Sequence, residues 1–217
     1  MMFPNAFKGV KKIWLAELLM LLAVVVGIVL LIVVASNSTM VDGAVVINKE
    51  AVRTPGAILG VGTALIALVG LILNLVGLIN ARKDDAGFRI ALLVTVLGII
   101  STAIGAIWSS NERLNEWMDT LTTIFSMLAS YYVLTGIASL ADRIPDPATK
   151  ALALKSRTLV EGSFCVGVVF KLIINIFNIQ SGSTIHTIMA VVALVLEFLA
   201  YILYLRALSK GKKMLAV

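Results

Sequence analysis

The stretch GAILGVGTALIALVGLILNLVGLIN, residues Gly56 to Asn80, carries no charged side chain from end to end. At 1.5 Å per residue, about 20 apolar residues in a helix cross the roughly 30 Å hydrocarbon core of a bilayer. The stretch therefore reads as a transmembrane helix and sets the class of the whole chain. Its small and polar residues are not scattered. Gly56, Gly60, Thr63, Ala67, Gly70, Asn74 and Gly77 recur at alternating spacings of four and three, which places them on one stripe. Helices in lipid associate by close backbone approach, because lipid is as apolar as leucine. A small-residue stripe at heptad spacing is what that approach requires.

Working outward, five similar runs accompany it, and the six together cover about 13–35, 57–79, 88–108, 118–141, 159–179 and 184–205. The chain of 217 residues is 60% hydrophobic and only 14% charged, whereas soluble domains carry about 25% charged residues. No segment is left over to fold in water. The expected fold is all-α: one integral membrane domain over 1–217, a polytopic six-transmembrane-helix bundle. The opening MMFPNAFKGVKKIW is basic like a secretory leader. The apolar run from Ile13 to Ala35 exceeds the 7–15 residues of a leader core, so a retained anchor is expected. Phe3, Phe7, Val10 and Trp14 share a face ahead of it, which suits the membrane interface.

The basic residues orient the bundle. Lys8, Lys11, Lys12, Arg82, Lys83, Arg89, Arg143, Lys150, Lys155, Arg157, Arg206, Lys210, Lys212 and Lys213 fall on one side, leaving Lys49, Arg53 and Arg113 opposite. By the positive-inside tendency both termini are cytoplasmic, at the cell membrane. The net charge of +6 is thus read as topology, and no nucleic-acid partner is expected. Cys165, the single cysteine, permits no disulfide within one chain and no metal cluster.

The third run repeats the stripe, with Ala91, Thr95, Gly98, Thr102, Gly105 and Ser109. The short turn NARKDDAG between the second and third runs makes those helices antiparallel neighbours whose stripes face the bundle interior, each other included. Glu17, Arg89 and Glu161 each follow a lysine by six residues at intervals of 72, a pattern that suggests three helical hairpins.

The last two runs are different, because they hold charges. FCVGVVFKLIINIFN, Phe164 to Asn178, carries Lys171 near its middle. A charge at the bilayer centre costs roughly 2.5–3.5 kcal/mol on insertion scales and needs a partner or a purpose. Lys171, Asn175 and Asn178 align with Glu161, Phe164 and Val168 on one face of the fifth run; His186, Glu197 and Tyr204 align on the sixth, with Tyr201 beside Glu197. Across the tight IQSGST turn, Glu197 lies about five residues deeper than Lys171, or on the order of 7 Å. Helical side chains lean toward their own N-terminus, so these two lean toward each other. A Lys171–Glu197 pair follows, with Asn175, Tyr201, Asn178 and His186 as the neighbouring candidate ligand-binding residues.

No G-x-S-x-G elbow, H-E-x-x-H pair or Walker loop is present, so no catalytic residue and no cofactor is expected. Two function classes remain. One is a transporter or substrate-binding membrane subunit for a small molecule or ion. The other is a non-catalytic scaffold, accessory or immunity-type interaction protein, with a partner protein or a second copy of the chain. None of Pro4, Pro55, Pro145 and Pro147 falls inside a predicted span, which argues against broken transporter helices. The segment 36–56 is the one outer loop large enough to act as a lid or a partner contact.

Overall fold

The computed structural model describes residues 2–41, 44–47, 49–108, 110–176 and 183–216; side chains at 39–41, 44–47, 49–52, 112–113, 116, 171–172 and 174–176 are outside the description. Six long helices carry the chain: α1 (Pro4–Ser36), α2 (Lys49–Ala81), α3 (Ala86–Ile107), α4 (Glu112–Arg143), α5 (Pro147–Ile176) and α6 (Thr184–Met214). Between α1 and α2, β1 (Ser38–Val41) and β2 (Ala44–Ile47) pair antiparallel, Ser38 opposite Ile47 and Val41 opposite Ala44. The segment between α1 and α2 therefore contains a short ribbon.

Among the described residues, five helices are long and apolar enough to cross a membrane: α1, α2 from Arg53, α3, α4 from Trp117, and α6. The chain is a helical membrane bundle. Helix α5 does not meet that measure in its described part. Its first half carries Lys150, Lys155, Arg157 and Glu161, and its apolar half runs on toward residues 177–182, outside the described residues.

Helices extend past the expected spans. The joint between α4 and α5 is only residues 144–146, so most of the region read as a basic loop is the first turns of α5. Its start follows local chemistry. Asp146 accepts the backbone N–H of Thr149 at 3.0 Å and its hydroxyl at 2.7 Å, and Pro147 at the first helical position gives up no needed donor. Helix α2 likewise begins early, at Lys49, which brings Pro55 inside the helix near its N-terminal end. The expectation that no proline interrupts a membrane helix is corrected at that one position.

The chain forms two compact units, Lys12–Val76 and Met1–Lys11 with Gly77–Val217. Within the first, a Cβ on Gly70 would stand 3.3 Å from the carbonyl of Ala16 and 3.5 Å from the Met20 side chain. The α2 stripe meets α1 there, and at Gly60 a Cβ would meet nothing within 4 Å.

In the second unit the N-terminal turns of α1 pack on the end of α2, where a Cβ on Gly9 would reach 2.5 Å from the carbonyl of Gly77. Helices α3 and α4 cross at Gly87 and Gly136, so closely that a Cβ on either would meet backbone or the Phe88 ring at 2.8 Å. Further along, Gly98 faces Phe125 and Gly105 faces Met118, both on α4. The α3 stripe is thus turned to α4 at these glycines. Helix α4 also packs on α5 and α6, and α5 on α6. Between the last two, the buried Ser156 hydroxyl is within reach of the carbonyls of Leu152, at 2.8 Å, and Leu203, at 3.1 Å.

Candidate functional site

Helices α4, α5 and α6 do not close on one another along their whole length. The stripe on α6 is buried at Ala200 and Tyr204 but exposed at Ala190 and Glu197. Where it opens, the three helices line an open cavity of about 440 Å³.

Its wall is rich in hydroxyl groups. Helix α4 supplies Thr122, Thr123, Ser126 and Ser130, α5 supplies Ser163, and α6 supplies Tyr201, Tyr204 and one carboxylate, Glu197. Met127, Val160, Phe164 and Ala200 make up the apolar remainder. The Thr123, Ser126 and Ser130 positions are spaced three and four, so one face of α4 presents all of them.

The hydroxyl protons are largely committed. Thr123 donates to the carbonyl of Asp119 at 3.0 Å, Ser130 to that of Ser126 at 3.2 Å, and Ser163 to that of Val160 at 3.0 Å. Thr102 donates to the carbonyl of Gly98 at 3.0 Å, so in its 3.3 Å contact with Thr122 the proton comes from Thr122. A hydroxyl holds one donor and two acceptor lone pairs. With their donors turned back to helix and neighbour, these oxygens offer the cavity acceptors.

Glu197 is directed at α5. Its Oε1 lies 4.0 Å from where a Cβ on Gly167 would stand, so the missing side chain leaves the space that the carboxylate approaches. Tyr201 and Tyr204 follow on α6 with ring centroids 6.4 Å apart and planes inclined by 37°. Nearer the α5 N-terminus, the Arg157 guanidinium lies 5.0 Å from the centroid of the Tyr131 ring, and its Nε is buried with no hydrogen-bond partner among the described residues. Tyr131 in turn meets Tyr132 edge-on at 5.1 Å.

Of the residues expected from sequence, Glu197 and Tyr201 come together in this cavity. His186 does not join them. It sits in the first turn of α6, where its backbone N–H is capped by the Ser183 hydroxyl at 3.2 Å, about 16 Å along the helix from Glu197. Lys171 and Asn175 belong to α5, Lys171 one turn beyond Gly167, but their side chains and the whole of Asn178 lie outside the described residues. The hydroxyls of α4 were missed. Their signal was the recurrence of Thr122, Ser126 and Ser130 at intervals of four, the same kind of stripe that marks α2 and α3.

A second polar cluster joins elements of the same unit. Asp84 accepts the backbone N–H of Ala6 at 2.7 Å and the Asn5 amide at 3.1 Å. Asp85, buried, accepts the N–H of Gly87 at 2.8 Å, the Ser139 hydroxyl at 2.7 Å and Arg143 at 3.3 Å. The DD of the α2–α3 turn thus caps α1 and α3 and ties down α4, satisfying end groups that would otherwise stay unpaired.

No protein-family model matches this chain, and no characterised protein or solved structure resembles it at a significant level.

Proposed function

We propose that this chain is a multi-pass protein of the cell membrane that binds a small molecule or ion between α4, α5 and α6, as a transporter or the substrate-binding subunit of one. The observation carrying the reading is the hydroxyl-lined cavity with Glu197 on its wall. Polar and ionisable groups within membrane helices are costly and mark ligand or ion paths by default. A volume of about 440 Å³ falls in the range of small-molecule sites. In this reading α5 is the sixth span, both termini are cytoplasmic, and the chain is not itself an enzyme.

One observation favours the alternative. Glu197 is exposed along one side of the groove, and a helix of a partner protein or of a second copy would cover it in a scaffold or accessory role. The test is native mass spectrometry of the purified chain, with chemical identification of small molecules that copurify. The ligand reading expects a bound species lost when Ser126→Phe fills the cavity. An unoccupied chain whose Ser126→Phe form loses a homodimer would replace it with the interaction reading.

A further inference from the structure

We infer that the cavity accepts a protonated organic amine. This rests on the proposed reading of the cavity as a ligand site and specifies the chemistry of its occupant. Three observations converge on it. Among the described lining residues Glu197 supplies the only formal charge, and that charge is negative. Thr122, Thr123, Ser130 and Ser163 have their hydroxyl protons engaged elsewhere, so they face the cavity as acceptors. Tyr201 and Tyr204 add aromatic rings on the α6 side.

An anion finds no cationic side chain among the described lining residues and meets a carboxylate. A neutral molecule gains nothing from the charge of the carboxylate. An ammonium group carries donors for the acceptor oxygens of Thr122, Thr123, Ser130 and Ser163, is attracted by the carboxylate, and is favoured again over aromatic faces. Its hydrocarbon body suits Met127, Val160 and Phe164. A bare alkali ion would use the oxygens but leave most of about 440 Å³ unfilled. The ammonium of Lys171, one turn beyond Gly167 on α5, would compete for the same carboxylate, so the expected internal pair and a bound amine exclude each other.

The test uses the full chain in lipid nanodiscs and four probes: phenethylammonium, its neutral counterpart 2-phenylethanol, the anion phenylacetate, and potassium ion. Phenethylammonium should bind saturably and raise the melting temperature. Glu197→Gln should weaken it about tenfold or more, the loss expected for a hydrogen bond to a charged group. Ser163→Ala should weaken it less, and Thr158→Ala, on α5 outside the cavity, should leave it unchanged. The comparison of probes on the wild-type chain stands even where Glu197→Gln fails to fold. Binding of 2-phenylethanol, phenylacetate or potassium as tight as that of the amine, and lost in Ser126→Phe, would overturn the amine assignment while the cavity remains a ligand site. If no probe binds in a way that Ser126→Phe abolishes, the cavity reading falls and the amine with it.

Discussion

The carboxylate of Asp84 receives the backbone N–H of Ala6 at 2.7 Å, so the turn between α2 and α3 caps a helix 78 residues earlier in the chain. Removal of a capping side chain costs about 1 kcal/mol. Asp84→Ala should lower the stability of the detergent-solubilised protein by about that amount. Asp85→Ala should cost more, roughly 2–3 kcal/mol, because it leaves the Ser139 hydroxyl without its acceptor and Arg143 with only the Asp84 carbonyl, as well as uncapping α3. Thermal unfolding of the two variants checks the order.

Close helix crossings supply the second prediction. Gly136→Leu would drive a side chain into Phe88, and Gly87→Leu into the backbone of Gly136. Each should destabilise by about 3 kcal/mol or more. Gly70→Leu, against Ala16, should loosen the α1–α2 contact, whereas Gly162→Ala, with nothing within 4 Å, should be close to neutral. Equal melting temperatures for Gly136→Leu and Gly162→Ala would refute the crossing.

The Lys171–Glu197 pair is tested by a double-mutant cycle on melting temperature. Lys171→Met and Glu197→Gln should each destabilise, by less than the roughly 3–5 kcal/mol of a fully buried pair, since Glu197 is exposed along the groove. The double variant should regain much of the loss. Additive losses would mean that the two do not meet, and Glu161 or a bound anion would be the next partner to test for Lys171.

How much of this was legible beforehand follows from the physics of each feature. The membrane helices were, because a run such as Gly56–Asn80 has no other stable home. The small-residue stripes were legible as contact faces, but their partners were not. Spacing identifies a face and says nothing about which neighbour fills it, and so Gly70 meets α1 and Gly98 meets α4. Helix ends were misplaced because hydropathy marks the lipid boundary, while α5 starts where Asp146, Pro147 and Thr149 form a cap in the polar region. The cavity was half legible. Glu197 and Tyr201 stood out as polar groups in apolar runs, but the α4 hydroxyls did not, because serine and threonine bond back to their own helix and pass unremarked in a hydrophobic count.

The cap on α5 carries a pH signature. The backbone N–H and hydroxyl of Thr149 hold the Asp146 carboxyl below the usual aspartate range. A depressed folded-state value means that the contribution is complete above the ordinary range, near 3.9, and is lost as pH falls through the lower folded value. Wild type should therefore exceed Asp146→Ala in melting temperature at neutral pH. The gap should narrow only under strongly acid conditions, and a gap that is constant with pH would show that the charge plays no part.

Topology is open to direct labelling in intact cells. Cysteines placed between 37 and 50 or between 110 and 116 should react with a membrane-impermeant maleimide in a Cys165→Ser background. A cysteine at the exposed Ala151, on the first turns of α5, should not. Labelling at Ala151 would invert the bundle. Shortening the 36–56 segment to a simple turn should preserve insertion while impairing ligand binding, and unimpaired binding would reduce the β1–β2 ribbon to a connector.

The Asp84 and Asp85 junction also sets an order in time. A ribosome delivers Asn5 and Ala6 first, yet the groups that hold them arrive only with the α2–α3 turn, and Ser139 and Arg143 later still. Until the chain has been made as far as Asp84, of 217 residues, the start of α1 is without its lock, and assembly at that end finishes only after α4 has emerged. An N-terminal tag or truncation that disturbs Asn5 and Ala6 should thus show itself as a late assembly defect, after the early helices are already in the bilayer.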